Sequence, residues 1–107
     1  MILKKILLTA CLSMGVLSST AFAVSEYPSK SIHLTVPFAA GGVTDLTART
    51  FAKQLSDALK QPVVVENRPG AGATIGANHV AKSTPDGYSL LLGTNVTHAI
   101  TPQMMQK

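Results

Sequence analysis

Apolar and polar residues alternate from Ser31 to Val36, with Ile32, Leu34 and Val36 on one side and Ser31, His33 and Thr35 on the other. A period of two predicts a half-buried strand, with His33 near its entry end. Beyond Thr44 the period lengthens. Ala48, Phe51, Ala52, Leu55, Ala58 and Leu59 form one stripe, and Arg49, Lys53, Gln54, Asp57 and Lys60 fall opposite. This predicts an amphipathic helix that ends near Leu59, just before Gln61-Pro62. Val63-Val64-Val65 does not alternate, as expected of a β-branched strand covered on both faces. Asn67-Arg68-Pro69-Gly70-Ala71-Gly72 then turns the chain into a second helix, from Ala73 to about Lys82. Its small face of Ala73, Gly76, Ala77 and Ala81 allows close approach to a sheet. Thr84-Pro85-Asp86-Gly87 has the residues of a type I turn. Tyr88 to Leu92 reads as a third strand, and a further helix can begin after Ala99.

The order β-α-β-α-β with short links predicts an α/β fold built on a parallel sheet. With the strands arranged 2-1-3, the carboxyl ends of the first and third form the switch point where such sheets bind ligands. Two loops meet there. One is Phe38-Ala39-Ala40-Gly41-Gly42-Val43-Thr44-Asp45, and the other runs from Gly93 through Thr94, Asn95, Thr97 and His98. Neither holds a Lys or Arg, yet both are rich in backbone N–H, hydroxyl and amide groups. The first opens onto a helix N-terminus, whose free N–H groups and dipole favour an anion. A small polar anion held by hydrogen bonds fits that set, and a plain tight turn fits the glycines equally. Thr44 and Asp45 suit helix caps, and Asp45 also suits a group that orders a ligand. His98 suits a donor to a carboxylate, a solvated loop residue or a helix cap. A side chain at Gly42 is expected to block an anion and to strain a positive φ.

Composition narrows the chemistry. Lys4 and Lys5, the apolar stretch Ile6 to Leu17, and Ala21-Phe22-Ala23 have the layout of a cleaved export signal over residues 1–23. A periplasmic mature chain starting at Val24 is expected. Leu8-Thr9-Ala10-Cys11 also matches a lipoprotein pattern, but too few apolar residues precede it. Without residues 1–23 the chain has no cysteine, and seven Lys and Arg face five acids, a net of +2. No basic cluster marks a nucleic-acid partner, and no stretch is long enough for a membrane span. His33, His79 and His98 lack metal-ligand spacing, and no G-x-S-x-G elbow occurs. Gly70-Ala71-Gly72-Ala73-Thr74-Ile75-Gly76 is one residue too long for a dinucleotide fingerprint, and it follows the second strand. No cofactor, no metal and no enzymatic activity are expected.

Five segments carry a resemblance, in order: Tyr27-Pro28-x-Lys30; Val36-Pro37-Phe38-Ala39-Ala40-Gly41-Gly42-x-x-Asp45; Val65-Glu66-Asn67-Arg68-Pro69-Gly70-Ala71-Gly72; Pro85-Asp86-Gly87-Tyr88; and Gly93-Thr94-x-x-Thr97-His98-Ala99-Ile100. Together they resemble the substrate-binding proteins of tripartite tricarboxylate transporters, the Bug family. The resemblance implies a two-lobed, Venus-flytrap periplasmic receptor that closes on a small organic acid, a di- or tricarboxylate or a related carboxylate. It implies delivery to transporter membrane subunits, or signalling to a sensor kinase, and a monomer. Members of the family are longer, so residues 24–107 are expected to form an incomplete N-terminal lobe. The ligand loops carried over are Ala39 to Asp45 and Thr94 to His98, with Phe38 beside the first. A nonfunctional remnant of such a receptor, or a fragment of an exported α/β enzyme, stands as the alternative.

Overall fold

A computed structural model describes residues 24–105. The export segment, its cleavage site and Cys11 lie outside them. The elements are β1 (Ile32–Val36), α1 (Val43–Leu59), β2 (Val63–Asn67), a short turn at Ala71–Ala73, α2 (Thr74–Ala81), β3 (Ser89–Leu91), a wide turn at Val96–Ile100 and α3 (Thr101–Met105). The three strands make one parallel sheet in the order β2-β1-β3, with Leu34 opposite Val65 on one side and Leu90 on the other. The α/β class read from the sequence is therefore present, and the strands take the 2-1-3 arrangement on which the ligand edge depended.

Right-handed crossovers to opposite sides of β1 place α1 and α2 on opposite faces of the sheet. Burial agrees. Leu34 and Val36 pack with Ala48 and Ala52 of α1, and Phe38, Val63, Val65, Leu90 and Leu92 close around them. On the α2 side, Thr35 and Pro37 are fully buried. Gly76 of α2 comes so close that a Cβ there would stand 2.8 Å from Pro37 Cβ and 2.9 Å from the Arg68 carbonyl oxygen. Of the small face expected of this helix, Ala73 and Gly76 are buried and Ala81 is exposed.

Three expectations need correction. β2 is an edge strand, so it is not covered on both faces: Val64 is 42% exposed. The apolar stripe of α1 is also narrower than its spacing suggests, because Phe51 is 48% exposed and Ala58 is exposed as well. A helix lying on three strands covers only its central ridge, which small Ala48 and Ala52 bring close to the sheet. The turn before β3 is tighter than type I. Asp86 N–H donates to the Thr84 carbonyl at 2.8 Å, Tyr88 N–H donates to Asp86 Oδ1 at 3.0 Å, and Gly87 takes φ 82°. The lead-in docks on it, with the Tyr27 hydroxyl donating to the Gly87 carbonyl and Ser29 N–H donating to the Tyr88 hydroxyl.

Candidate ligand-binding site

The first loop is built at the carboxyl end of β1. Gly41 takes φ 89°, whereas Gly42 is in an extended conformation (φ −77°, ψ 175°) and is the N-cap of α1. The positive φ expected at Gly42 therefore belongs to Gly41. A Cβ at Gly42 would lie 3.8 Å from the Ala39 carbonyl oxygen, an ordinary contact. Neither Thr44 nor Asp45 caps the helix, and no side chain takes that role.

Asp45 folds back under the loop instead. Its Oδ2 accepts from Gly41 N–H at 2.9 Å and from Arg49 Nε at 3.0 Å. Its Oδ1 accepts from Asn67 Nδ2 at 2.9 Å, and the same amide nitrogen donates to the Phe38 carbonyl at 3.2 Å. Arg49 Nη2 closes the ring by donating to Asn67 Oδ1 at 3.2 Å. Asp45 is only 3% exposed. The Arg49 guanidinium, then the Gly41 N–H and the Asn67 amide, hold its carboxyl down at about 2. A carboxylate so fully partnered stays ionised but does not confront an incoming anion as a bare charge. Asp45 is thus a staple that shapes the loop. Arg49 and Asn67, which sequence reasoning assigned to a wet helix face and a turn, belong to the site's support. The i, i+4 spacing of Asp45 and Arg49 was a legible signal; nothing local announces Asn67.

The second loop leaves β3, whose ladder with β1 is prolonged by Leu92 N–H donating to the Thr35 carbonyl at 2.9 Å. Thr97 Oγ1 accepts from Thr94 N–H at 2.9 Å and donates to the Thr94 carbonyl at 2.8 Å. His98 Nδ1 lies 2.6 Å from the same hydroxyl oxygen. Thr94 Oγ1 is buried and has no hydrogen-bond partner among the described residues. A third segment flanks this loop: Gly70, Ala71, Gly72 and Ala73 all take positive φ, and the Thr101 hydroxyl donates to the Gly72 carbonyl at 2.8 Å.

Because β1 and β3 are parallel neighbours, both loops leave the same edge of the sheet. Ala39, Ala40, Gly41 and Gly42 on the first loop, and Asn95 and His98 on the second, are exposed there. Phe38 is half-buried in the core cluster, Thr44 is half-buried, and Asp45 and Thr97 are buried, so these last two act beneath the surface. A hollow of about 460 Å³ lies elsewhere, at the amino edge, lined by Lys30, His33, His79, Lys82 and Asp86 among others. His33 there pairs with Glu66 at 2.7 Å, and that bond holds the Glu66 carboxyl below its ordinary value.

A parallel sheet with helices on both faces and two donor-rich loops at one carboxyl edge is an open α/β arrangement, the kind that binds ligands at a switch point. Residues 47–107 match the family described as tripartite tricarboxylate transporter family receptor, and the chain belongs to that family. It is 51% identical over 73 residues to the protein BugT of Bordetella pertussis, covering 68% of this chain and 22% of that one. Among solved structures it is similar to MatC of Rhodopseudomonas palustris with bound malate, at 38% identity and a TM-score of 0.71, covering 76% of this chain and 28% of that one. A second R. palustris protein, solved with adipate, is 41% identical with a TM-score of 0.64, covering 65% of this chain and 23% of that one. The chain spans 22% to 29% of the length of the curated relatives it matches. The family is one of solute-binding receptors. No described helix is long and apolar enough to cross a membrane.

Proposed function

We propose that this chain is the N-terminal part of an exported periplasmic receptor that captures a small di- or tricarboxylate for a tripartite tricarboxylate transporter. A ligand carboxylate sits at the start of α1, between the Ala39–Gly42 backbone and the Thr94–His98 loop. A second lobe, contributed by the rest of the receptor, selects the remainder of the ligand and closes over it. The transporter's membrane subunits then take the ligand.

One observation carries this reading. A helix of 17 residues starts at the carboxyl edge with no side chain capping its first turn, while the only carboxylate of that loop is already occupied by Arg49, Asn67 and Gly41. The edge thus offers donors without a competing acceptor. Malate and adipate on the two structural relatives support a carboxylate as the chemistry.

The test is calorimetric titration of the protein expressed from its full reading frame with malate, adipate, citrate and an uncharged amide of each. Acids are expected to bind and amides not. Gly42→Ala, which adds a methyl group beside the first-turn N–H groups, is expected to weaken the tightest acid about tenfold, as when a hydrogen bond to a charged group is lost. Unchanged affinity in that variant would place the carboxylate elsewhere.

A further inference from the structure

The hydrogen-bond chain in the second loop fixes which nitrogen of His98 carries a proton. The Thr97 hydroxyl has one hydrogen. The Thr94 carbonyl oxygen, 2.8 Å from Thr97 Oγ1, can only accept, so that hydrogen points to it. Thr94 N–H already donates to the same hydroxyl oxygen at 2.9 Å. His98 Nδ1 then approaches Thr97 Oγ1 to 2.6 Å and the Thr94 carbonyl to 3.3 Å. A bare Nδ1 would set lone pair against lone pair at both contacts. The contacts hold only with the proton on Nδ1, and a neutral imidazole then has a bare, accepting Nε2.

The ring is seated over a residue that has no side chain. It lies against Gly93 at the end of β3, and a Cβ at Gly93 would stand 2.6 Å from His98 Cε1. His98 is exposed at the carboxyl edge, on the loop that leaves the strand beside β1. An accepting nitrogen cannot hold a carboxylate, which also only accepts. It can hold a hydroxyl.

We infer that His98 is a specificity residue whose Nε2 accepts a hydrogen bond from a ligand hydroxyl, so that the site prefers hydroxy acids over the corresponding plain diacids. This rests on the receptor function proposed above and narrows its ligand class. Thr97 acts as the positioning residue, since its hydroxyl sets the tautomer.

Two measurements test it. In the chain labelled with 15N-histidine at about pH 8, where an imidazole is neutral, the His98 resonances, assigned by their loss in His98→Gln, are expected to show Nδ1 protonated and Nε2 bare. The opposite tautomer overturns the inference. In the protein expressed from its full reading frame, malate is expected to bind about threefold to tenfold tighter than succinate, the span of one neutral hydrogen bond. His98→Leu is expected to bring that ratio to about one, and His98→Gln, whose amide oxygen can accept, to keep part of it. A ratio of one in the parent, or a preference that survives in His98→Leu, overturns the hydroxyl contact while leaving carboxylate capture intact. Binding of no acid at all removes the receptor function and the inference together.

Discussion

The two loops at the carboxyl edge are held in opposite ways. The first is pinned from outside itself. Asp45 in α1, Arg49 one turn later and Asn67 at the end of β2 form a closed ring that reaches up to Gly41 N–H and the Phe38 carbonyl. The second is pinned mostly from within, by Thr97 and His98 folding onto Thr94, with one tie from Thr101 to Gly72 nearby. A loop stapled to two other elements is fixed by charge and by the tertiary fold at once. A loop closed by its own neutral hydrogen bonds is fixed locally and can be altered alone. In the receptor proposed above, the first loop sets where an anion is held, and the second adjusts which one.

The contrast breaks most visibly at Asn67. Asn67→Leu keeps the approximate volume but leaves the Phe38 carbonyl and one Asp45 oxygen without their donor. Orphaning the carbonyl alone is expected to lower stability by about 1–3 kcal/mol, read from the shift in denaturant midpoint at unchanged slope. Carboxylate binding should fall with it. The His98 tautomer should not change. If it does, the two loops are one cooperative unit and the contrast fails.

Acid sharpens the same contrast. The Asp45 carboxyl is lowered from 3.8 to about 2 in the folded chain, chiefly by Arg49. Between those values the unfolded chain binds more protons than the folded one, so stability rises with pH across the window. The stabilisation is fully present above about pH 4 and is lost as pH falls toward 2. Arg49→Met should raise the folded value and shrink this acid-sensitive component, measured as unfolding midpoints across a pH series. Glu66, held down first by His33, acts in the same direction, so His33→Gln serves as the separating control. Removing Thr97 should leave this acid profile untouched.

Smaller in size is the local loop. Thr97→Val removes the group that both accepts from and donates to Thr94, and is expected to cost about 1 kcal/mol of stability. It should also release His98 into a mixture of tautomers. An unchanged histidine spectrum would mean that Gly93 and the backbone, not Thr97, orient the ring.

What was legible in the sequence follows this same division. The alternation at Ile32–Val36, the stripe through Ala48 and Ala52, and the breaks at Pro62 and Gly87 are local signals, and the strands and helices came out close to their expected bounds. A parallel sheet was legible too, because short β-α-β links leave few topologies, but the 2-1-3 order entered only as a condition. Both loops were legible as loops at a strand-to-helix junction. Their internal wiring was not. Asp45 read as a cap or as a group that orders a ligand, and one of its actual partners, Asn67, lies 22 residues away. Val64 and Phe51 were expected inside because hydropathy does not say which strand is an edge or how wide a helix footprint is.

The least disruptive change is the most discriminating, and it concerns the two adjacent glycines. Gly41 holds φ 89°, a left-handed conformation that costs a residue with a Cβ about 1–2 kcal/mol. Gly42 holds φ −77° and has room for a methyl group at 3.8 Å from the nearest backbone oxygen. Gly41→Ala is therefore expected to destabilise measurably even though nothing crowds its Cβ, whereas Gly42→Ala should stay within about 0.5 kcal/mol of the parent, as ordinary surface changes do. Binding should sort them differently. Gly42→Ala places its methyl beside the uncapped first turn of α1 and should weaken carboxylate binding with no loss of fold. Equal melting of the two variants would show that the left-handed turn is not rigidly set by the Asp45 ring, and the first loop would then be no more firmly held than the second.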